Sequence, residues 1–138
     1  MSQQDEIRQV SRSESRAALA KSTEFAESAK SELGESRWNS AGLTAIHAGI
    51  SAADSVLIAS AGLRSTSKDH GAVLQLLDDQ VPEFATTQRR QLGGLLKMKN
   101  RVAYEQRQLT ETEARQLVDQ ADRLTRWAQR VVDDHLDT

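Results

Sequence analysis

Apolar residues recur with a helical period along most of this chain, and the breaks between the periodic stretches are short. Ala17, Leu19, Ala20, Phe25, Ala26, Ala29 and Leu33 keep that period, and Gly34 offers a stop, so the spacing predicts a first helix ending there. A second, broader apolar face follows: Trp38, Ala41, Ile46, Ala48, Ile50, Ala53, Leu57 and Ile58, closed by Gly62. A helix apolar over so much of its circumference belongs at the centre of a bundle, at a subunit interface, or both. The small residues Ala45, Ala48, Gly49, Ala52 and Ala53 would let a neighbouring helix approach closely.

After a polar connector over 64–69, Ser65 or Ser67 is placed to cap a shorter third helix carrying Val73, Leu74, Leu76 and Leu77, with Pro82 beyond it. A fourth helix is expected over 87–105 with Leu92, Leu95, Leu96, Val102 and Ala103 inward. Gly93 and Gly94 interrupt it, and each costs roughly 1 kcal/mol relative to alanine in a helix, so close packing or a kink is expected there. Thr110 and Glu113 have capping-box spacing and open a fifth helix with Ala114, Leu117, Val118, Ala121, Leu124, Ala128 and Val131 inward. Residues 1–11 are polar without a sustained period and read as a flexible tail, and 12–134 as one bundle domain. The fold class is therefore all-α, an up-and-down bundle of four to five helices.

Composition agrees. The 138 residues suit one core, and the apolar set is Ala, Leu and Val with few aromatics and one proline. The absence of cysteine excludes disulfides and thiolate metal sites. No stretch approaches about 20 consecutive apolar residues, and the first residues are polar rather than signal-like. The expectation is a cytoplasmic protein that does not enter a membrane.

The formal charge is −2, so no global field draws the chain to a polyanion; only a local patch would. One exists between Arg89 and Arg107, where six basic residues face the single acid Glu105. On a helix, Lys97, Arg101 and Tyr104 fall at i, i+4 and i+7 and share a face. Cations neutralise phosphate and a ring stacks a base, so Lys97, Lys99, Arg101 and Tyr104 are the candidate nucleic-acid residues. The alternative for the same residues is a solvated bundle face with a tyrosine plugging the core edge. His47 and Asp54 lie two turns apart on the second helix and would form a polar pocket with Lys99 or Tyr104, or a hydrogen-bonded link inside the bundle. With His70, at the start of the third helix, they are the candidate catalytic groups. No two histidines have metal-ligand spacing, so neither metal nor cofactor is expected.

Three segments carry a resemblance: His47-Ala48-Gly49-Ile50-Ser51-Ala52-Ala53-Asp54-Ser55-Val56-Leu57, then Ser67-Lys68-Asp69-His70, then Leu95-Leu96-Lys97-Met98-Lys99-Asn100-Arg101-Val102-Ala103-Tyr104. In this order they resemble a bacterial branch of the HEPN (higher eukaryotes and prokaryotes nucleotide-binding) superfamily, over roughly residues 17–132. The resemblance implies a helical domain, commonly a homodimer, linked to RNA or a nucleotide. Some members are ribonucleases of toxin–antitoxin or defence systems; others are non-catalytic partners of nucleotidyltransferase-like proteins. The ribonucleases carry an Arg followed after four to six residues by His in the fourth-helix region, and this chain has no His after Lys97, Lys99 or Arg101. Arg64 with His70, and Arg130 with His135, fit the spacing elsewhere, but a chain this rich in arginine yields such matches by chance. The expected function is an RNA- or nucleotide-associated module without efficient catalysis. The alternatives are a bundle that grips a cognate partner protein and a metal-free ribonuclease.

Overall fold

The computed structural model describes residues 6–137. Among them are five α-helices: α1 (Ser15–Gly34), α2 (Trp38–Ala61), α3 (His70–Gln80), α4 (Thr86–Tyr104) and α5 (Glu111–Leu136). Two three-residue strands, β1 (Ile7–Gln9) and β2 (Leu63–Ser65), form an antiparallel ribbon, and a short 3-10 turn (Arg12–Glu14) leads into α1. The all-α bundle is as expected.

α2 is the centre. Ala41, Ala45, Ile46, Ala48, Ala52, Val56 and Ala59 are wholly buried, because α1, α4 and α5 all pack on it. Alanine and glycine along α2 set how near those helices come: a β-carbon at Gly49 would lie 2.5 Å from Leu95 Cδ1, far inside van der Waals contact. α2 is long and apolar enough by length and composition to cross a membrane, and here it is packed inside the bundle. Its apolar surface is covered within one chain, and Tyr104 is the one large hydrophobic side chain exposed among the described residues. The central position expected of α2 is thus met.

α1 corrects the sequence reading in detail. Its buried stripe is Ser15, Leu19, Ser22, Ala26 and Ala29, spaced four and three in alternation, which leaves Ala17 and Ala20 exposed. Two serines occupy core positions because each finds a partner. Ser15 Oγ donates to Arg12 O at 2.7 Å, and Ser22 Oγ lies 2.8 Å from both Ala48 O and Thr125 Oγ1. The second knot joins α1, α2 and α5 where an unpaired hydroxyl would cost about 1–3 kcal/mol. Gly34 remains helical; the left-handed residue of the α1–α2 turn is Ser36, with φ +62°. Gly62 does end α2, at φ +64°.

That left-handed step sends the chain out of α2 as β2. Ile7, Arg8 and Gln9 pair with Ser65, Arg64 and Leu63, and Val10 N donates to Gly62 O at 2.9 Å. Part of the stretch read as a tail is therefore a strand; residues 1–5 of it lie outside the described residues. Three residues are too few for a two-residue alternation to declare itself. The cap of α3 also differs: Asp69, whose Oδ1 accepts from Gly71 N at 2.9 Å, rather than Ser65 or Ser67. Those hydroxyls accept from Ser67 N and Asp69 N and shape the connector instead. α5 follows its reading: Thr110 Oγ1 accepts from Glu113 N at 3.1 Å, Glu113 Oε1 accepts from Thr110 N at 2.9 Å, and all seven inward residues are buried.

Candidate nucleic-acid interface and the cleft behind it

α4 is continuously helical, and its inward stripe of Leu92, Leu95 and Leu96 fixes where every other side chain points. Lys97, Arg101 and Tyr104 fall on the opposite, outward side, and all three are exposed. Tyr104 reaches 80 % exposure, so its ring plugs no core. Lys99 is separated from them: it follows Leu92 and Leu95 at i+7 and i+4, about 200° round the helix from Lys97. The four candidate residues thus form two groups, a triplet on the open face and Lys99 behind it.

The cations of this region are not equivalent. Arg107 binds Glu113 with two hydrogen bonds of 3.1 and 2.9 Å, holding the Glu113 carboxyl down at about 2, with the Thr110 amide contributing after Arg107. Arg89 is held by Asp78 at 3.0 Å. Arg101 has a longer contact with Glu105, 3.5 Å, and donates weakly to Met98 Sδ; exposed pairs of this kind are worth about 0–1 kcal/mol. Lys97 and Lys99 make no ion pair among the described residues. Of the six basic residues counted in the sequence, Arg89 and Arg107 are anchored to neighbouring helices, and Arg90, Lys97, Lys99 and Arg101 remain available to an anion.

Lys99 points into a cleft of about 270 Å³ bounded by α2, β2 with its connector, α3 and α4. Asp54, Arg64, Lys68 and His70 line it with Lys99, while Ile50, Leu92 and Leu96 give it an apolar wall. The expected grouping of Asp54 with Lys99 is present here. His47 and Tyr104 are outside this lining; His47 is exposed, its ring 6.1 Å from that of Phe25. Its pKa is lowered, first by partial burial and then by the positive charges of Lys99 and Lys21.

Asp54 is half-buried and no protein group hydrogen-bonds it among the described residues. Burial pushes its carboxyl up to about 6, against the opposing pull of Arg64 and Lys21. It also borders a second depression, toward α1, where Arg64 appears again with Lys21 and Glu14. Asp54 and Arg64 therefore stand on the ridge between two hollows. Arg64 is a residue that sequence reasoning set aside: its spacing to His70 looked accidental, yet the short strand β2 and the cap of α3 bring both to one cleft.

His135 has a different place. Its Nε2 lies 2.8 Å from Glu83 Oε2 and 3.3 Å from Ser60 Oγ, and its Nδ1 lies 3.5 Å from Arg12 Nη2. Glu83 and Ser60 share one ring nitrogen, so the arrangement lacks the acid–base relay of a hydrolytic triad, in which acid and nucleophile use opposite nitrogens. It is a clamp joining four segments. No group of three or more His, Asp or Glu side chains among the described residues could hold a metal ion. No protein-family model matches this chain, and no curated protein matches it.

Proposed function

We propose that this domain is a HEPN-like, RNA-associated helical module of a toxin–antitoxin or defence-type system, which binds single-stranded RNA on the outer face of α4 and does not itself cleave it. The observation that carries the reading is Tyr104: a ring 80 % exposed, the one large hydrophobic side chain exposed among the described residues, on one helical face with Lys97 and Arg101. An exposed ring flanked by cations suits a base stacked on the tyrosine and phosphates beside the helix. Stacking of this kind is worth about 1–3 kcal/mol per base, and it tolerates any sequence.

The test is fluorescence anisotropy with a labelled, unstructured RNA oligonucleotide. Binding weakens as salt rises, and Lys97→Ala/Arg101→Ala flattens the log–log salt slope by about 0.7 for each phosphate contact removed. Tyr104→Ala weakens binding by roughly 5- to 150-fold and leaves that slope in place, because a ring displaces no counterion. The labelled strand is recovered intact. RNA affinity unchanged in both variants would overturn the reading.

A further inference from the structure

Away from the α4 outer face, a second set of positive charges begins on the β ribbon, where each strand carries one arginine. Arg8 and Arg64 are directly opposed in the antiparallel pair, so their side chains leave the same face with β-carbons about 4.5–5.5 Å apart. Like charges in that position are destabilising. Neither arginine makes an ion pair or hydrogen bond with another side chain among the described residues. Arg64 reaches the cleft described above, where Lys68 and Lys99 join it, and neither lysine makes an ion pair among the described residues. Three cations thus line one cleft against the single lining carboxylate of Asp54. Asp69, next to Lys68 in the chain, is committed to capping α3.

Asp54 is an odd residue for its helix. α2 is otherwise made of apolar, small and neutral polar residues, His47 aside, and Asp54 sits half-buried in it without a hydrogen-bond donor from the protein. Its oxygens reach the solvent of the cleft, since Glu83 Oε1 is the one buried side-chain oxygen without a partner among the described residues, so they are open to a donor from outside the protein, and a partly desolvated carboxylate in a cleft is a candidate functional group. The surroundings say what it could accept from: a hydroxyl or amine resting against Ile50 and Leu92, on a molecule whose anionic end reaches the cations at the rim. The volume, about 270 Å³, falls just below the roughly 300–1,000 Å³ of drug-sized pockets, so the occupant is small.

We propose that this cleft is a phosphomonoester site, in which Arg64, Lys99 and Lys68 hold the phosphate and Asp54 accepts a hydrogen bond from a hydroxyl or amine of the organic part. Arg64 supplies the planar two-pronged donor that suits phosphate, and the lysines act as point charges. The proposal does not rest on RNA binding by the α4 outer face. A phosphomonoester has two sources here, a free sugar phosphate or the phosphorylated end of an RNA strand.

The experiment is calorimetric titration of the full chain with ribose 5-phosphate, with inorganic phosphate, and with a trinucleotide RNA bearing either a 5′-phosphate or a 5′-hydroxyl. Ribose 5-phosphate binds, and Arg64→Gln/Lys99→Gln weakens it by about tenfold or more, as expected for losing charge-assisted hydrogen bonds. Asp54→Asn removes a negative charge from the phosphate cleft and so does not weaken inorganic phosphate, but it lowers the affinity of ribose 5-phosphate relative to inorganic phosphate roughly two- to tenfold, a separation that a merely misfolded variant would not give. A preference for the 5′-phosphorylated trinucleotide that disappears in Arg64→Gln/Lys99→Gln assigns the site to strand ends. Equal affinity for the two trinucleotides beside clear binding of ribose 5-phosphate assigns it to the free ester. Two results overturn the proposal: no saturable binding of either phosphomonoester, or binding that survives Arg64→Gln/Lys99→Gln. Tyr104→Ala separates the two readings, since it lowers affinity for the longer RNA strand and spares ribose 5-phosphate.

Discussion

Glu83 Oε2 and His135 Nε2 lie 2.8 Å apart, and that contact closes one end of the bundle. Glu83 lies in the link between α3 and α4, and His135 in the last turn of α5. Ser60 near the end of α2 and Arg12 before α1 complete the cluster, and Arg12 Nε donates to Ala59 O at 2.7 Å. The second oxygen of Glu83 is buried with no hydrogen-bond partner among the described residues, so the carboxylate depends heavily on the one bond it makes. His135→Ala is expected to cost about 1–3 kcal/mol in urea unfolding, the range for stranding a buried polar group. Glu83→Gln keeps an acceptor for the ring and is expected to cost less. Equal stability of His135→Ala and the wild type would remove the clamp from the account.

Asp54 gives stability a pH dependence of known sign. Its carboxyl is raised from 3.8 to about 6 in the folded protein, chiefly by burial, so between those values the folded state binds more protons than the unfolded one. Stability from this group is therefore fully present below about pH 4 and is lost as the pH climbs through 6. Asp54→Asn removes the loss. The variant is expected to be more stable than the wild type at pH 7.5, by roughly 1–3 kcal/mol, and the advantage is expected to fade by pH 4.5. A constant difference between the two proteins across that window would show that Asp54 titrates as it does in the unfolded chain.

Thr110 and Glu113 close the first turn of α5 reciprocally, and Arg107 locks Glu113 from the preceding loop. Thr110→Ala is expected to destabilise by about 1 kcal/mol, as cap removals do, while Thr110→Ser is expected to fall within a few tenths of wild type. The Glu113 carboxyl moves the opposite way to that of Asp54: it is lowered to about 2, first by Arg107. Its contribution is present above the usual glutamate range near 4.5 and is lost as the pH falls toward 2. Thermal melts at pH 7 and pH 3 resolve this, since the disadvantage of Glu113→Gln is smaller at the lower value, part of the way down the fall toward 2.

Much of this was legible in the chain, and the misses have physical causes. All seven positions read as inward in α5 are buried, because its apolar stripe is regular and its cap has a two-residue signature, while Thr125, Trp127 and Val132 widen the buried face beyond that reading. α1 was misread at Ser15 and Ser22 because a serine reads as polar until a buried partner is known, and Thr125 is more than a hundred residues away. The β ribbon was missed because its pairing is long-range and each strand has three residues. Lys99 was grouped with Lys97 because both belong to one basic run, although its spacing from Leu92 and Leu95 put it on the inward stripe. That signal was present in the sequence. Arg64 was different: only the fold joins it to Asp54 and His70.

The glycines make the same point in a form that can be measured. The sequence drew attention to Gly93 and Gly94, whose pairing in α4 suggested close packing or a kink, but the crowding is on α2. A β-carbon at Gly93 would meet nothing nearer than Leu74 Cδ1 at 4.0 Å, and at Gly94 the nearest atom is the flexible end of Gln120 at 3.3 Å. On α2, Gly49 abuts the buried Leu95 and Gly42 abuts the buried Leu109. Gly93→Ala is therefore expected to stabilise the protein by about 0.5–1 kcal/mol, the helix-propensity gain with no steric cost. At Gly49→Ala the same gain is opposed by overpacking against Leu95, and the expected net loss is about 1–3 kcal/mol. At Gly42→Ala the new β-carbon would meet the buried Leu109 and, at 3.3 Å, Leu117 of α5, so a net loss of similar size is expected. Urea midpoints of the three variants rank these expectations directly: a stabilised Gly49→Ala would mean that α4 is held away from α2, and the close approach of those two helices, on which the position of Lys99 and the cleft both depend, would be wrong.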